Sequence, residues 1–187
     1  NISVLRSEDV IKLYKNIYEA YIKVNNFVTE HKKNLIFDDL WVVESDSAYT
    51  KSEEVPFKPH IDKIRKFKIM IYVNDVDINS GPIHLIDENP EIFENTRKNF
   101  SSKYKENEEN IIKNFDLDKY TPCIGSFGTT IFFDTNTPHY AGEVLNTKKK
   151  RKILRFNYRY ADKFTIFLNL SLKKLNLTKK NYFLFKN

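Results

Sequence analysis

Residues 67–86 read FKIMIYVNDVDINSGPIHLI, and this stretch decides the fold of the chain. The first part, residues 67–73, alternates bulky apolar side chains with Lys, Met and Tyr, which is the period of a β-strand. The NSGP sequence at 79–82 predicts a turn, and IHLI at 83–86 predicts the next strand. Further strands are predicted at residues 40–43, 129–133 and 153–160. Because helices do not alternate regularly with these strands, the pattern favours an antiparallel sandwich or barrel over a parallel sheet.

A long amphipathic helix is predicted ahead of these strands. Ser7 is a good N-cap, and the acids Glu8 and Asp9 follow it at the positive end of the helix dipole. Apolar residues then recur at helical spacing: Val10, Tyr14, Ile17, Tyr21, Val24 and Val28. We expect residues 7–33 to form a helix that packs this stripe on the sheet.

The other segments have weaker patterns. Residues 45–55 predict a polar loop and residues 91–115 a highly charged excursion, and we expect both to form a lid over a pocket. Residues 168–185 fit either a helix or a strand. We expect a single domain, with a core at about 35–161 and a C-terminal segment at 162–187.

Composition indicates a globular protein. Hydrophobic residues make up 41% of the 187 residues and aromatic residues 14%, enough to build a core. Cys123 is the only cysteine, so the chain has no internal disulfide, and a reducing, cytoplasmic location is expected. No apolar run approaches the roughly 20 residues that span a bilayer, so no membrane span is expected.

The charge is basic, with a formal net value of +6 and a pI of about 9.1. Part of it lies in the run KKKRK at residues 148–152, which could form a nuclear-localisation or nucleic-acid patch. We favour a solvated hairpin turn, because Asn146 and Thr147 precede the run and a strand follows it. The net charge favours an anionic substrate over a nucleic acid.

Three potential metal ligands stand in two short motifs. His60 and Asp62 flank one residue, and His139 follows Thr-Pro after the predicted strand at 129–133. In an extended segment residues i and i+2 project to the same side, so His60 and Asp62 can meet one ion. Two imidazoles and one carboxylate on one face of Fe(II) leave three positions open, as in non-haem iron oxygenases. We therefore predict a metal site at His60, Asp62 and His139.

Residues 41–160 resemble the phytanoyl-CoA hydroxylase-like branch of Fe(II)/2-oxoglutarate dioxygenases. Besides the three ligands, the similarity rests on IYVND followed by NSGPI, on GSFGT leading to His139, and on the strand that begins at Arg151. The resemblance implies a double-stranded β-helix, or jelly roll, with iron and co-substrate at its open end. The chain departs from the family pattern at residues 87–90 and at Ala141, where a small hydroxyl residue is frequent.

The resemblance also implies roles for residues beyond the metal ligands. Arg151 corresponds to the arginine that binds 2-oxoglutarate, and a bidentate guanidinium suits a buried carboxylate. Arg155 is the alternative, since it shares a strand face with Arg151. Tyr72 could reach 2-oxoglutarate, or simply pack in the core with its hydroxyl bonded. His84 stands where relatives often contact substrate, although a plain structural histidine is the favoured alternative.

The function implied by the resemblance is hydroxylation of a small molecule, with O₂ and 2-oxoglutarate as co-substrates. The presence of Asp62 favours hydroxylation over halogenation, because halogenating relatives lack this carboxylate. Two alternatives remain open. Arg155-Phe156-Asn157 is similar to a strand of nucleic-acid demethylases of the alkylation-repair type. The chain could also be a catalytically silent jelly-roll binding domain that keeps the metal motif.

Overall fold

The computed structural model describes residues 2–6, 14–47, 57–99 and 116–174. Its strands are β1 (Ile2–Arg6), β2 (Leu35–Asp46), β3 (Lys66–Tyr72), β4 (Ile83–Leu85), β5 (Thr121–Cys123), β6 (Thr130–Asp134), β7 (His139–Ala141) and β8 (Lys150–Tyr160). Its helices are α1 (Lys15–His31), α2 (Glu94–Lys98) and α3 (Lys163–Lys174), with short 3-10 turns at Pro90–Phe93 and Leu117–Lys119.

The strands form two antiparallel sheets. The larger sheet has the order β1-β2-β8-β3-β6, and the smaller has the order β5-β4-β7. Buried residues of both sheets pack in one core cluster: Val43, Met70, Tyr72, Val76, Ile83, Ile131, Phe133 and Ile153. The fold is therefore the predicted jelly roll.

β8 is the central strand of the larger sheet. It pairs along its length with β2 and also with β3, so alternate residues of all three strands share a face. Arg151, Ile153 and Arg155 face the smaller sheet, together with Lys68, Met70 and Tyr72 of β3. The inward orientation of these three β3 residues matches the alternation in the sequence.

Helix α1 covers the other face of the larger sheet. Val28, Leu40, Ile69, Phe156 and Tyr158 form a second buried cluster there. Ile17, Tyr21 and Val24 of the predicted helical stripe pack against this cluster. Tyr14 does not, because it precedes the helix and its side chain is exposed. The predicted helix start at residues 7–13 lies outside the described residues.

Several predicted boundaries change. Residues 45 and 46, predicted as loop, belong to β2 because they pair with Arg151 and Lys150 of β8. The charged excursion is helical at Pro90–Lys98, and the ambiguous C-terminal segment is helical as far as Lys174. The parts of the predicted lid at residues 48–56 and 100–115 lie outside the described residues.

The basic run at 148–152 forms a turn and the start of β8, as predicted. Lys149 N donates a hydrogen bond to Asn146 O at 2.9 Å, which closes the turn. Lys150 and Lys152 are ion-paired with Glu44 at 2.5 and 3.2 Å, and Lys149 with Asp77.

Among the helices that the structure describes, none is both long and apolar enough to cross a membrane.

Candidate metal centre

The three predicted ligands meet at one point. His60 and Asp62 both lie in the segment before β3, two residues apart, and His139 begins β7. Backbone pairing brings the segments together: His60 and His139 form an isolated β-bridge, and Asp62 N donates to Thr135 O at 3.0 Å. One ligand atom from each of the three side chains lies within 4.8 Å of the others.

The hydrogen bonds of the imidazoles fix which nitrogen can bind a metal. Nδ1 of His60 lies 2.7 Å from Lys58 O, and Nδ1 of His139 lies 2.8 Å from Thr137 O. Because a carbonyl oxygen only accepts, each Nδ1 carries the proton and each Nε2 keeps a lone pair. Both Nε2 atoms are 3.8 Å from Asp62 Oδ1, and His139 Nε2 is buried without a hydrogen-bond partner in the described structure. This donor set fits a divalent metal ion.

The protonation states suit a metal as well. Burial lowers the pKa of His60 and holds that of His139 well below its ordinary value. Burial by itself would raise the pKa of Asp62, but Lys68 and the two histidines outweigh it, so the Asp62 pKa is lowered. At neutral pH the site therefore presents two neutral imidazoles and one carboxylate.

A cavity of about 190 Å³ opens beside the two histidines. Three basic side chains line it: Lys68, Arg151 and Arg155. Apolar walls come from both sheets, including Met70 and Ile83. Ligand pockets for drug-sized molecules are usually about 300–1,000 Å³. The volume of this cavity therefore suits a small anion, and it is too small to hold a large substrate together with that anion.

Arg151 lies where the resemblance implies an anion anchor. It is only 6% exposed, and it donates hydrogen bonds to Gly81 O and, at 3.4 Å, to Ser45 Oγ. Over the described ranges of the chain, no carboxylate comes within ion-pairing distance of it. A buried guanidinium is costly unless it is paired, so an anionic ligand is its natural partner.

Arg155 lines the same cavity. It pairs with Met70 of β3, so it lies closer to Lys68 along the sheet than Arg151 does. Its guanidinium lies 3.8 Å from the centre of the Trp41 ring, which also lines the cavity. This stacking on an aromatic ring holds the Arg155 guanidinium in place, whereas Arg151 is held by hydrogen bonds. Both arginines lie on one strand face, as their spacing predicts.

Tyr72 also lines the cavity, but its hydroxyl donates to Cys123 O at 2.6 Å. This bond ties the two sheets together, and burial raises the pKa of Tyr72 to about 12. His84 is not brought to the cavity. It alternates with Ile83 on β4, and its ring stacks on Tyr140 with centroids 4.4 Å apart. Sequence alone could not settle which face of β4 looks inward.

Lys68 is a residue of the site that the sequence analysis did not single out. It is only 8% exposed, and its Nζ lies 2.6 Å from Asp62 Oδ2. A signal was present, since Lys68 alternates with Phe67 and Ile69 and shares its strand face with Met70 and Tyr72.

Arg65 was missed as well. Its Nε donates to both carboxylate oxygens of Asp134, at 3.1 and 2.8 Å, and its Nη2 bonds to Glu91. Tyr160 donates a further bond to Asp134 at 2.6 Å. Arg65 thus connects the segment that carries Asp62, the end of β6 and the excursion after β4.

The chain matches no protein-family model and no curated protein sequence. Among solved structures, EvdO2 from Micromonospora carbonacea var. aurantiaca is similar with a TM-score of 0.58 and 16% identity, over 86% of this chain and 67% of that one. A structure of EvdO2 complexed with 2-oxoglutarate has a TM-score of 0.53 at 15% identity, with the same coverage. HygX from Streptomyces hygroscopicus, with nickel, 2-oxoglutarate and hygromycin B bound, has a TM-score of 0.53 at 10% identity, over 84% of this chain and 70% of that one. These similarities confirm the jelly-roll fold; membership of the phytanoyl-CoA hydroxylase-like branch stays a prediction.

Proposed function

We propose that this protein is an Fe(II)/2-oxoglutarate-dependent oxygenase that hydroxylates a small molecule. The observation that carries the proposal is one cavity lined by a neutral histidine pair and by the buried Arg151, with Asp62 grouped beside the two histidines. The 2-oxoglutarate and nickel in the EvdO2 and HygX structures support it, because those proteins share this fold. Fold similarity alone does not transfer function, so the argument rests on the site.

Each residue has a defined part in the proposal. His60, Asp62 and His139 would hold the iron, and Fe(II) bound by two imidazoles and one carboxylate can also bind 2-oxoglutarate and O₂. Arg151 binds the distal carboxylate, with Gly81 O and Ser45 Oγ fixing its orientation. Tyr72 closes the cavity wall beside Arg151. When bound, Fe(II) supplies the electron-transfer chemistry that lets O₂ react with both organic molecules.

The reaction balances without another reductant. One oxygen atom of O₂ enters succinate as 2-oxoglutarate loses CO₂, and the other enters the hydroxyl group of the product. The cavity is the size for the co-substrate, so the hydroxylated molecule approaches from outside it. A reducing, cytoplasmic location is part of the proposal, because it keeps Fe(II) and Cys123 reduced.

A nucleic-acid substrate is less well supported. Lys149, Lys150 and Lys152 are ion-paired within the protein, and Asn157 is bonded to Asp39. These lysines and Asn157 already have partners within the protein, which does not favour a nucleic-acid-binding surface.

The test has two steps. Calorimetry on the Mn(II)-loaded protein should show one 2-oxoglutarate per metal, and no binding without metal. Under air, with Fe(II) and ascorbate, the protein should then form succinate in an iron-dependent way. A protein that binds metal at full stoichiometry but never binds 2-oxoglutarate refutes the proposal, and favours a silent binding domain.

A further inference from the structure

The two oxygens of Asp62 have different neighbours. Oδ1 lies 3.8 Å from Nε2 of both His60 and His139, whereas Oδ2 lies 2.6 Å from Lys68 Nζ. One oxygen therefore faces the point where the imidazole lone pairs converge, and the other is held by a hydrogen bond from Lys68.

Lys68 is built into this position. It projects inward from the middle of β3, between strands β6 and β8, and is almost fully buried. Phe133 of β6 packs at its end, with the ring centroid 5.9 Å from Nζ. Burying a lysine in an apolar core is costly unless the nitrogen has a strong partner. Asp62 Oδ2 is that partner, so the pair is fixed by the fold.

From this arrangement we infer that Lys68 is a positioning residue that limits Asp62 to a single coordinating oxygen. The inference rests on the proposed function. A carboxylate can bind a metal through one oxygen or through both. With Oδ2 held by Lys68, Asp62 offers only Oδ1, and the two histidines and Asp62 together occupy three positions.

The consequence concerns the positions left for the co-substrates. On a six-coordinate ion, a 2-oxo acid needs two positions and O₂ needs one. If Asp62 bound the metal through both carboxylate oxygens, it would take one of these positions. Lys68 thus keeps open the position for which Asp62 and a co-substrate would otherwise compete.

The substitution Lys68→Met tests this, because Met has similar length and no hydrogen to donate. Lys68→Arg restores a donor. Lys66→Met is a matched control on the same strand, since Lys66 Nζ bonds to Asp38 at 2.7 Å, away from the metal ligands. Each variant is loaded with Mn(II), and circular dichroism confirms that it is folded.

The direct measurement is infrared difference spectroscopy, metal-loaded minus metal-free, with the aspartate carboxyls labelled by ¹³C. A carboxylate bound through one oxygen has a wide separation between its antisymmetric and symmetric stretches, and one bound through two oxygens has a narrow one. We expect a wide separation in the wild type, in Lys66→Met and in Lys68→Arg, and a narrow one in Lys68→Met. The affinity of Lys68→Met for 2-oxoglutarate should fall roughly 10-fold or more, as is common when a residue that orients a metal ligand is lost.

A wide separation in folded, metal-loaded Lys68→Met overturns the inference. Loss of Mn(II) from both Lys68 variants also overturns it, since Lys68 would then serve something other than this hydrogen bond. Loss of Mn(II) from Lys68→Met with recovery in Lys68→Arg supports it. Failure of the proposed function looks different: the wild type would bind Mn(II) without binding 2-oxoglutarate, while the infrared comparison would still report on Lys68.

Discussion

Thr135 is hydrogen-bonded to Lys66 twice, once through its backbone N–H and once through its side chain. Thr135 N donates to Lys66 O, and Lys66 N donates to Thr135 Oγ1, both at 2.8 Å. Lys66 begins the strand that follows Asp62, and Thr135 comes directly after β6, the strand that precedes His139. The two arms of the metal site are therefore joined by protein–protein bonds, and their spacing does not depend on an ion.

The first prediction concerns metal binding. His139→Ala should abolish stoichiometric Mn(II) binding and leave the fold intact, because backbone bonds hold the two arms together. Calorimetry measures the binding, and circular dichroism checks the fold. His84→Ala is the control, since His84 lies outside the cavity and should not affect Mn(II) affinity. Unchanged affinity in both His60→Ala and His139→Ala would show that these residues are not the ligands.

The second prediction concerns the anion anchor. Arg151→Ala should weaken 2-oxoglutarate binding by roughly 30-fold or more and leave metal binding nearly unchanged, since losing a buried charge pair costs about 2–5 kcal/mol. Lys152→Ala, the adjacent residue on the outer face of β8, should have little effect. If Arg155→Ala shows the loss and Arg151→Ala does not, Arg155 is the anchor.

The third prediction separates an active oxygenase from an inactive relative. Asp62→Gly removes a negative charge and one ligand, so succinate formation under air with Fe(II) and ascorbate should stop. Weak metal and 2-oxoglutarate binding should survive through the histidines and Arg151. Succinate formed equally by the wild type and Asp62→Gly would exclude Asp62 from the reaction.

The fourth prediction is a pH dependence of stability in the metal-free protein. Burial lowers the pKa of His60 and His139, so the unfolded chain binds more protons than the folded one below about pH 6.5. Their contribution to the free energy of unfolding is complete above that pH and decreases as the pH falls. The slope is at most about 1.4 kcal/mol per pH unit for each histidine. The free energy of unfolding, measured with urea at several pH values, should change less steeply with pH in His139→Ala than in the wild type. Equal dependence on pH in the two proteins would contradict the assignment.

The fifth prediction uses two glycines with similar backbone angles. Gly81 has φ +73° and Gly128 has φ +87°, a region that L side chains disfavour. A Cβ on Gly81 would meet Gly142 O at 2.6 Å, whereas one on Gly128 meets nothing within 4 Å. Gly128→Ala should cost about 1 kcal/mol, and Gly81→Ala about 1–3 kcal/mol more from overpacking.

Urea unfolding measures both costs. Because Gly81 O accepts a bond from Arg151, Gly81→Ala should also weaken 2-oxoglutarate binding, and Gly128→Ala should not. Equal stability losses in the two variants would show that the contact with Gly142 is unimportant.

Sequence periodicity predicted most of the sheet because side-chain alternation is local. The inward set on β3 and the shared face of Arg151 and Arg155 both follow from counting residues along one strand. The position of β1 does not, because its pairing with β2 is a long-range choice that five residues of mixed polarity do not reveal. The bond between Lys68 and Asp62 was missed for a similar reason, since strand pairing decides which ligand an inward lysine reaches. Whether the His84 side chain points into the cavity or away from it depends on how the smaller sheet packs on the larger one.

The central place of β8 has a consequence for when the proposed metal site is completed during synthesis. Leu35 at the start of β2 pairs with Tyr160 at the end of β8, so the larger sheet cannot close on the ribosome until that last strand has been translated. At ordinary elongation rates this delay is on the order of ten seconds. All three proposed metal ligands are thus translated before the larger sheet is complete, and Arg151 follows them. A metal ion bound only by the finished fold would slow unfolding without accelerating folding.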